Sequence, residues 1–103
     1  MSVYVVISYD VTDPERFGKY MESVDAIMGI IAKHGGEVVF VDPEAIYEKG
    51  NARAMNACFK FPSVEDFHAV MNDPNYAEAK AHREASTSNY IQFIAKEPVM
   101  PQE

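Results

Sequence analysis

Residues 61–83, FPSVEDFHAVMNDPNYAEAKAHR, decide the fold because they contain two helix starts in succession. Pro62 cannot continue the preceding extended run, since it lacks an amide donor, and Ser63 is a favourable N-cap with acids in the turn that follows. Asp73 repeats the signal as a cap, and Pro74 stands at the first helical position. The pattern predicts a short helix followed by a second helix, with a strand on either side.

The remaining elements follow from hydrophobic periodicity. An apolar stripe with helical spacing runs from Phe17 to Ile31, and Gly35 and Gly36 form a suitable helix end. Runs rich in β-branched and aromatic residues predict the strands. The expected strands are 2–10, 37–41 with an irregular continuation to about 48, 54–61 and 88–96, and the expected helices are 13–34, 64–71 and 74–85.

This order of elements, βαββαβ, predicts a ferredoxin-like α+β fold, with a four-stranded antiparallel sheet and helices on one face. The first strand is apolar on both sides: Val5 and Ile7 point one way, and Tyr4 and Val6 point the other. The second face therefore needs a cover. We expect a second copy of the chain to supply it, so that two sheets pack face to face as a dimeric α+β barrel.

Length and composition narrow the class of protein. The 103 residues predict a single domain over residues 1–96, followed by a tail, 97–103, that is loose or reaches a partner. The net charge of −7, with no basic stripe, argues against nucleic acid as a partner, and no segment suggests a membrane span. A single cysteine, Cys58, and the absence of a signal-peptide pattern favour a reduced, cytoplasmic setting.

Tyr76 and Arg83 are the strongest candidates for ligand binding. They are seven residues apart, almost two helical turns, and so share one face of the last helix. One interpretation is a small anionic ligand held by Arg83, with a hydroxyl from Tyr76. In the alternative, Tyr76 packs on the core and Arg83 pairs with an acid such as Asp10 or Glu48.

Three histidines, His34, His68 and His82, are the residues suited to acid–base chemistry near neutral pH. Their spacing matches no metal-binding motif, so no metal site is predicted. His34 stands at a helix end, where a cation interacts well with the helix dipole. His68 borders an apolar stripe and His82 lies near the line of Tyr76 and Arg83, which makes these two the catalytic candidates.

Several residues in strands and helices could line a pocket. They are Tyr9, Tyr20, Asn56, Cys58 and Tyr90, of which Tyr9, Tyr20 and Asn56 join the proposed ligand-binding set. Alternation places Asn56 and Cys58 on the same sheet face, without indicating which one. We interpret Cys58 as an inert buried thiol, and the six methionines as core filler.

Taken together, these motifs resemble one family. They are Asp13-Pro14 and Tyr20, the helix end His34-Gly35-Gly36, Phe61-Pro62-Ser63, and Asp73-Pro74-Asn75-Tyr76 with Arg83. Over residues 4–94 the chain resembles the domain-of-unknown-function family 1330, in the dimeric α+β barrel superfamily. Lys60 departs from that pattern, because family members usually carry an acid there. The resemblance implies a homodimer with a pocket between sheet and helices, but no reaction.

These observations predict a small cytoplasmic homodimer that binds a small molecule, anionic if Arg83 faces it. Two alternatives remain open. By analogy with the superfamily, the protein is a cofactor-independent isomerase or oxygenase acting on a small carbonyl or phenolic compound, with a histidine base and Arg83 stabilising an enolate-like anion. In the other, it binds haem through His68 or His82. No cofactor is predicted, and the sequence leaves open whether the protein is an enzyme.

Overall fold

The structure, a computed structural model, describes residues 2–97. Its strands are β1 (Val3–Val11), β2 (Glu37–Asp42), β3 (Met55–Phe61) and β4 (Thr87–Lys96). Its helices are α1 (Pro14–Glu22), α2 (Val24–Lys33), α3 (Val64–Met71) and α4 (Ala77–Ser86), and a 3-10 turn, Pro74–Tyr76, leads into α4. No helix among these is long and apolar enough to cross a membrane.

The sheet confirms the predicted ferredoxin-like arrangement. Its strand order is β2-β3-β1-β4, and every neighbouring pair is antiparallel. The helices cover one face, where alternate residues of β1 such as Val5 and Ile7 pack against Ile27, Phe67 and Val70. Alternation along β1 is regular because every second side chain enters this core.

The predicted helix over residues 13–34 is wrong as a single element. It breaks at Ser23, whose φ of −97° and ψ of 6° lie outside the helical range and whose N–H bonds to the carbonyl of Tyr20. The apolar periodicity continues through the break, so the pattern alone gave no sign of it. The caps of α1 and α3 agree with expectation, since Asp13 and Ser63 each accept a bond from the first turn.

The predicted continuation of the second strand to residue 48 is also wrong. β2 ends at Asp42, whose carboxylate accepts a 2.8 Å hydrogen bond from the backbone N–H of Glu44 and closes a turn at Pro43 and Glu44. The chain then forms a loop up to β3. The predicted tail lies beyond residue 97 in all but its first residue, so it falls outside the described part of the chain.

The sheet face away from the helices, called here the outer face, carries an apolar row across all four strands. Phe40, Cys58, Val6 and Phe93 are successive cross-strand partners in this row. Phe93 is 51 % exposed and Phe40 is 45 % exposed. The predicted shared face of Asn56 and Cys58 is this outer face, because their partners in β1 point away from the core.

The junction between α4 and β4 has no loop, because α4 ends at Ser86 and β4 begins at Thr87. A β-bulge follows at once: the pairing of β1 with β4 shifts between Ser8 and Asp10, where β4 contains one extra residue. Asn89 lies in the bulge with a φ of 52°, a conformation that asparagine tolerates better than most residues. Its amide donates to Asp10 at 3.1 Å.

Candidate functional site

A cavity of about 90 Å³ lies between the sheet and the helices. Apolar side chains from β1, β3 and the first three helices form most of its wall. Met21 of α1 and Val41 of β2, both in the wall, are 41 % and 47 % exposed. The cavity therefore opens to solvent between the end of α1 and the edge strand β2, and we call it the cleft.

Arg83 brings the formal positive charge into this cleft. It projects from α4 and only 6 % of it is exposed. Its Nη1 donates a 2.5 Å hydrogen bond to the hydroxyl of Tyr76. Its guanidinium carbon lies 5.7 Å from the ring centre of Tyr76 and 5.5 Å from that of Tyr90, within the range of a cation–π contact.

No carboxylate of residues 2–97 forms an ion pair with Arg83. Asp10, one of the two partners considered from the sequence, accepts bonds from Ala54 and Asn89 instead. Tyr76 does pack in the core, as that alternative supposed. The Nε of Arg83 is buried without a hydrogen-bond partner, so the charge is matched by one hydroxyl and two ring faces alone.

Four tyrosines surround the guanidinium. Tyr9 of β1 and Tyr90 of β4 are stacked, with ring centres 5.2 Å apart and planes within 3°. Tyr20 comes from α1 and Tyr76 from the turn before α4. The hydroxyl of Tyr90 is buried and, like the Nε of Arg83, has no hydrogen-bond partner in the described chain.

Burial sets the charge state of this cluster. It raises the pKa of Tyr9 and Tyr76 well above the ordinary value, and it raises the pKa of Tyr90 to about 12, although Arg83 opposes each shift. Burial alone would lower the pKa of Arg83, but the neighbouring tyrosines outweigh burial and raise it above its ordinary value. At neutral pH the phenols are therefore uncharged and the guanidinium is charged, with no negative charge beside it.

The structure brings together four of the five residues predicted to bind ligand: Tyr9, Tyr20, Tyr76 and Arg83. Asn56 is the exception, because it lies on the outer face and does not line the cleft. Its Oδ1 accepts from the hydroxyls of Ser8 and Tyr47, and its Nδ2 donates to two backbone carbonyls. These hydrogen bonds satisfy the side-chain amide of Asn56 within the fold, so its burial needs no ligand to explain it.

Neither histidine proposed for catalysis lines the cleft. His68 is exposed on α3. His82 lines a separate surface groove, where its Nδ1 accepts from Arg16 at 3.2 Å and Glu78 lies 4.0 Å away. His34 caps α2 and lies 3.2 Å from the carboxylate of Asp73, which fits the structural role expected for it.

The cleft wall also contains four methionines that the sequence did not indicate as site residues. They are Met21, Met28, Met55 and Met71. Their interpretation as core filler holds only in part, since they also form the surface that a ligand would touch. Each lies in a stripe or strand shared with core residues, so spacing could not separate the two roles. Methionine adapts its shape to different neighbours and is common at binding surfaces of broad tolerance.

The fold and the cleft together define a class: a ferredoxin-like α+β protein with a pocket between sheet and helices. Within that class the chain belongs to the family described as "Domain of unknown function (DUF1330)", which matches residues 2–96. No protein of curated function matches the sequence.

Solved structures share the fold at low sequence identity. The chain is similar to RPA0582, a protein of unknown function from Rhodopseudomonas palustris (19 % identity, TM-score 0.78, covering 97 % of this chain and 84 % of that one). It is similar to a dimeric ferredoxin-like protein of unknown function from Jannaschia sp. (14 %, TM-score 0.76, 94 % and 100 %). It is also similar to SnoaB, a cofactor-independent oxygenase from Streptomyces nogalater (13 %, TM-score 0.64, 99 % and 98 %).

Proposed function

We propose that the protein is a homodimer that binds a small anionic molecule in the cleft, with Arg83 as the anion's partner. The observation that carries this proposal is the buried guanidinium with an unpartnered Nε and no acid beside it. Removing a cation from water costs several kcal/mol unless an opposite charge or several hydrogen bonds compensate it. An anion entering the cleft would supply that compensation, and the opening beside Met21 and Val41 gives it access.

The dimer is supported by the outer face. Phe40, Cys58, Val6 and Phe93 make an apolar row across the sheet, and a second copy could cover it. The similar protein from Jannaschia sp. is described as a dimeric ferredoxin-like protein. We expect the protein to elute as a dimer and Phe93→Asp to shift it to a monomer, measured by light scattering after size exclusion. A wild-type monomer would refute this part of the proposal.

Ligand binding is tested by native mass spectrometry of the protein purified under mild conditions, followed by thermal-shift screening with small anions. We expect a retained mass or an anion-induced rise in Tm for the wild type, and its loss in Arg83→Met. Lys80→Met is the matched control, because Lys80 is a cation on the same helix that does not line the cleft. If no anion has an effect that depends on Arg83, the proposal fails.

A second candidate function is cofactor-independent oxygenation or isomerisation of a phenolic or enolic compound, and the similarity to SnoaB favours it. A positive charge beside a bound substrate stabilises a developing oxyanion, and Arg83 is placed to do this. The cleft wall contains no imidazole and no carboxylate from residues 2–97, so an internal base would have to be a tyrosine. Because burial raises the pKa of Tyr9, Tyr76 and Tyr90, these phenols are poorly matched to that task.

An oxygen electrode separates the two candidates. Oxygen uptake with a phenolic substrate, abolished in Arg83→Met and retained in Lys80→Met, would show an oxygenase. Haem binding, the third class considered from the sequence, gains no support from the site. Neither His68 nor His82 reaches the cleft, and a cavity of about 90 Å³ is far smaller than a porphyrin requires.

A further inference from the structure

We infer that the cleft is built for a hydrophobic monocarboxylate, whose carboxylate binds between Arg83 Nε and the hydroxyl of Tyr90 and whose apolar body lies along the methionines. This inference deepens the proposed anion binding and rests on it. Three features of the cleft indicate this ligand class: the polar atoms that lack partners, the number of charges, and the composition of the remaining wall.

The first feature is the pair of unpartnered atoms. Arg83 Nε and the Tyr90 hydroxyl are the two buried side-chain polar atoms of residues 2–97 that make no hydrogen bond, and both residues line the cleft. Buried polar groups are almost always satisfied in native proteins, so two unpartnered atoms on residues that line one cavity indicate a partner that residues 2–97 do not supply. Both atoms can donate. A carboxylate offers two acceptor oxygens and can accept from a guanidinium edge and a neighbouring hydroxyl together.

The second feature is the single charge. Arg83 is the one cation in the cleft wall formed by residues 2–97, and no acid lines that wall. A monoanion would leave the cleft neutral. A phosphate monoester or a dicarboxylate would bury a second negative charge without a partner, which is strongly unfavourable in an apolar cavity. A cationic ligand would add repulsion to the charge already there.

The third feature is the rest of the wall. Beyond the tyrosines the cleft is apolar, and Met21, Met28, Met55 and Met71 lie in it. These side chains tolerate bodies of different shape. The cavity of about 90 Å³ is smaller than the ~150 Å³ cavity that encloses a benzene ring. The enclosed part therefore holds the carboxylate and a few carbons, and a longer body extends towards the opening at Met21 and Val41.

The probes for the test are benzoate, hexanoate, acetate, benzamide, phenyl phosphate and 4-nitrophenolate, titrated calorimetrically at pH 7.5. We expect benzoate and hexanoate to bind, and acetate to bind more weakly because it lacks an apolar body. Benzamide has the shape of benzoate without its charge, and we expect about 10- to 150-fold weaker binding, the range for a lost charged hydrogen bond. Phenyl phosphate is expected to bind more weakly than benzoate.

Three variants locate the carboxylate. Arg83→Met is expected to weaken benzoate binding by about 10- to 150-fold, and Tyr90→Phe by roughly fivefold, because it removes one neutral hydrogen bond while keeping the ring. Lys80→Met is the control and should bind as the wild type does. Tyr90→Phe also serves as the second variant if Arg83→Met does not fold.

The outcomes separate this inference from the proposed function. If 4-nitrophenolate or phenyl phosphate binds in a manner dependent on Arg83 and the carboxylates do not, the monocarboxylate class is refuted while anion binding stands. If benzamide binds as tightly as benzoate, or if Tyr90→Phe has no effect, the assignment of the carboxylate to Arg83 and Tyr90 is overturned. If no probe and no anion binds with dependence on Arg83, both proposals fail.

Discussion

Replacing Arg83 by Met and Tyr76 by Phe in one variant is expected to make the protein more stable. Few buried changes do so, but here the native pair includes a buried charge that is only partly offset by its neighbours. The guanidinium is 6 % exposed and has no acid partner among residues 2–97. If the proposed function holds, such a site exchanges stability for function, because the group proposed to bind the anion is also the group that destabilises the empty fold.

The magnitude follows from the contacts. Burying one ion costs several kcal/mol even after the protein relaxes. The bond to Tyr76 offsets about 2 kcal/mol, and the contacts with the rings of Tyr76 and Tyr90 offset about 1 kcal/mol each. Met and Phe keep most of the apolar volume and bring no charge. We expect the free energy of unfolding to rise by about 1–2 kcal/mol, within the range for replacing buried ionic groups by apolar ones.

The single variant Arg83→Met should be less stable than the double variant by about 1–3 kcal/mol, because the Tyr76 hydroxyl then lacks its partner. The assay is urea unfolding of dialysed protein at one fixed concentration, since dimer formation and residual ligand both shift the transition. For a domain of this size, 1 kcal/mol corresponds to about 4–8 °C in Tm. Lys80→Met is the control. A loss of more than about 1 kcal/mol in the double variant would show that Arg83 holds the fold together, and the reasoning would be refuted.

Three further predictions concern the scaffold. A Cβ at Gly36 would lie 2.6 Å from Phe61, so Gly36→Ala should destabilise the protein by about 1–3 kcal/mol in thermal unfolding. Gly29→Ala is the control: a Cβ there meets nothing within 4 Å, so this change should stabilise the helix by about 0.5–1 kcal/mol. Equal effects of the two substitutions would contradict the close approach at Gly36. The pKa of Asp73 is lowered, first by the hydrogen bond from the backbone N–H of Asn75 and then by the one with His34. The contribution of Asp73 to folding stability is therefore fully present above the unfolded pKa of about 3.9 and is lost as the pH falls through the lower folded pKa. Accordingly, the stability gap between wild type and Asp73→Asn should be constant at pH 6–7 and shrink below about pH 4 in urea titrations; a constant gap at all pH values would argue against it. Cys58 is buried and burial raises its pKa, so we expect a thiol reagent to modify it only after denaturation; rapid native labelling would show an open outer face.

The sequence was sufficient for the fold because its signals were local and independent. The caps at Asp13, Ser63 and Asp73 and the period-two strands each specified an element, and their order left one common arrangement. The break at Ser23 was missed because the apolar stripe crosses it unchanged. The end of β2 was misplaced because the turn depends on the side chain of Asp42, a local bond that composition does not reveal.

The site was only partly predictable. Helical spacing placed Tyr76 and Arg83 together, and their contact is present. Spacing could not show that Arg83 lacks an acid, since that depends on where every acid of the folded chain lies. Nor could it show that Asn56 faces away from the cleft, because alternation gives two faces without saying which one meets the helices. Chemistry suggests all three histidines, and His68 and His82 stand out because one borders an apolar stripe and the other lies near the line of Tyr76 and Arg83. The exact rotation of each helix, which spacing does not determine, places both outside the cleft.

The bulge at Asn89 has a consequence for how such a protein can change over generations. With no loop between α4 and β4, this one extra residue sets the alignment of Arg83 with Tyr90 on one side of the sheet. The same strand presents Phe93 on the other side. An insertion or deletion at this junction would therefore alter the proposed ligand site and the proposed dimer face in a single step. The geometry couples the two surfaces, so we expect a change of chain length here to be tolerated less well than a point substitution in either surface.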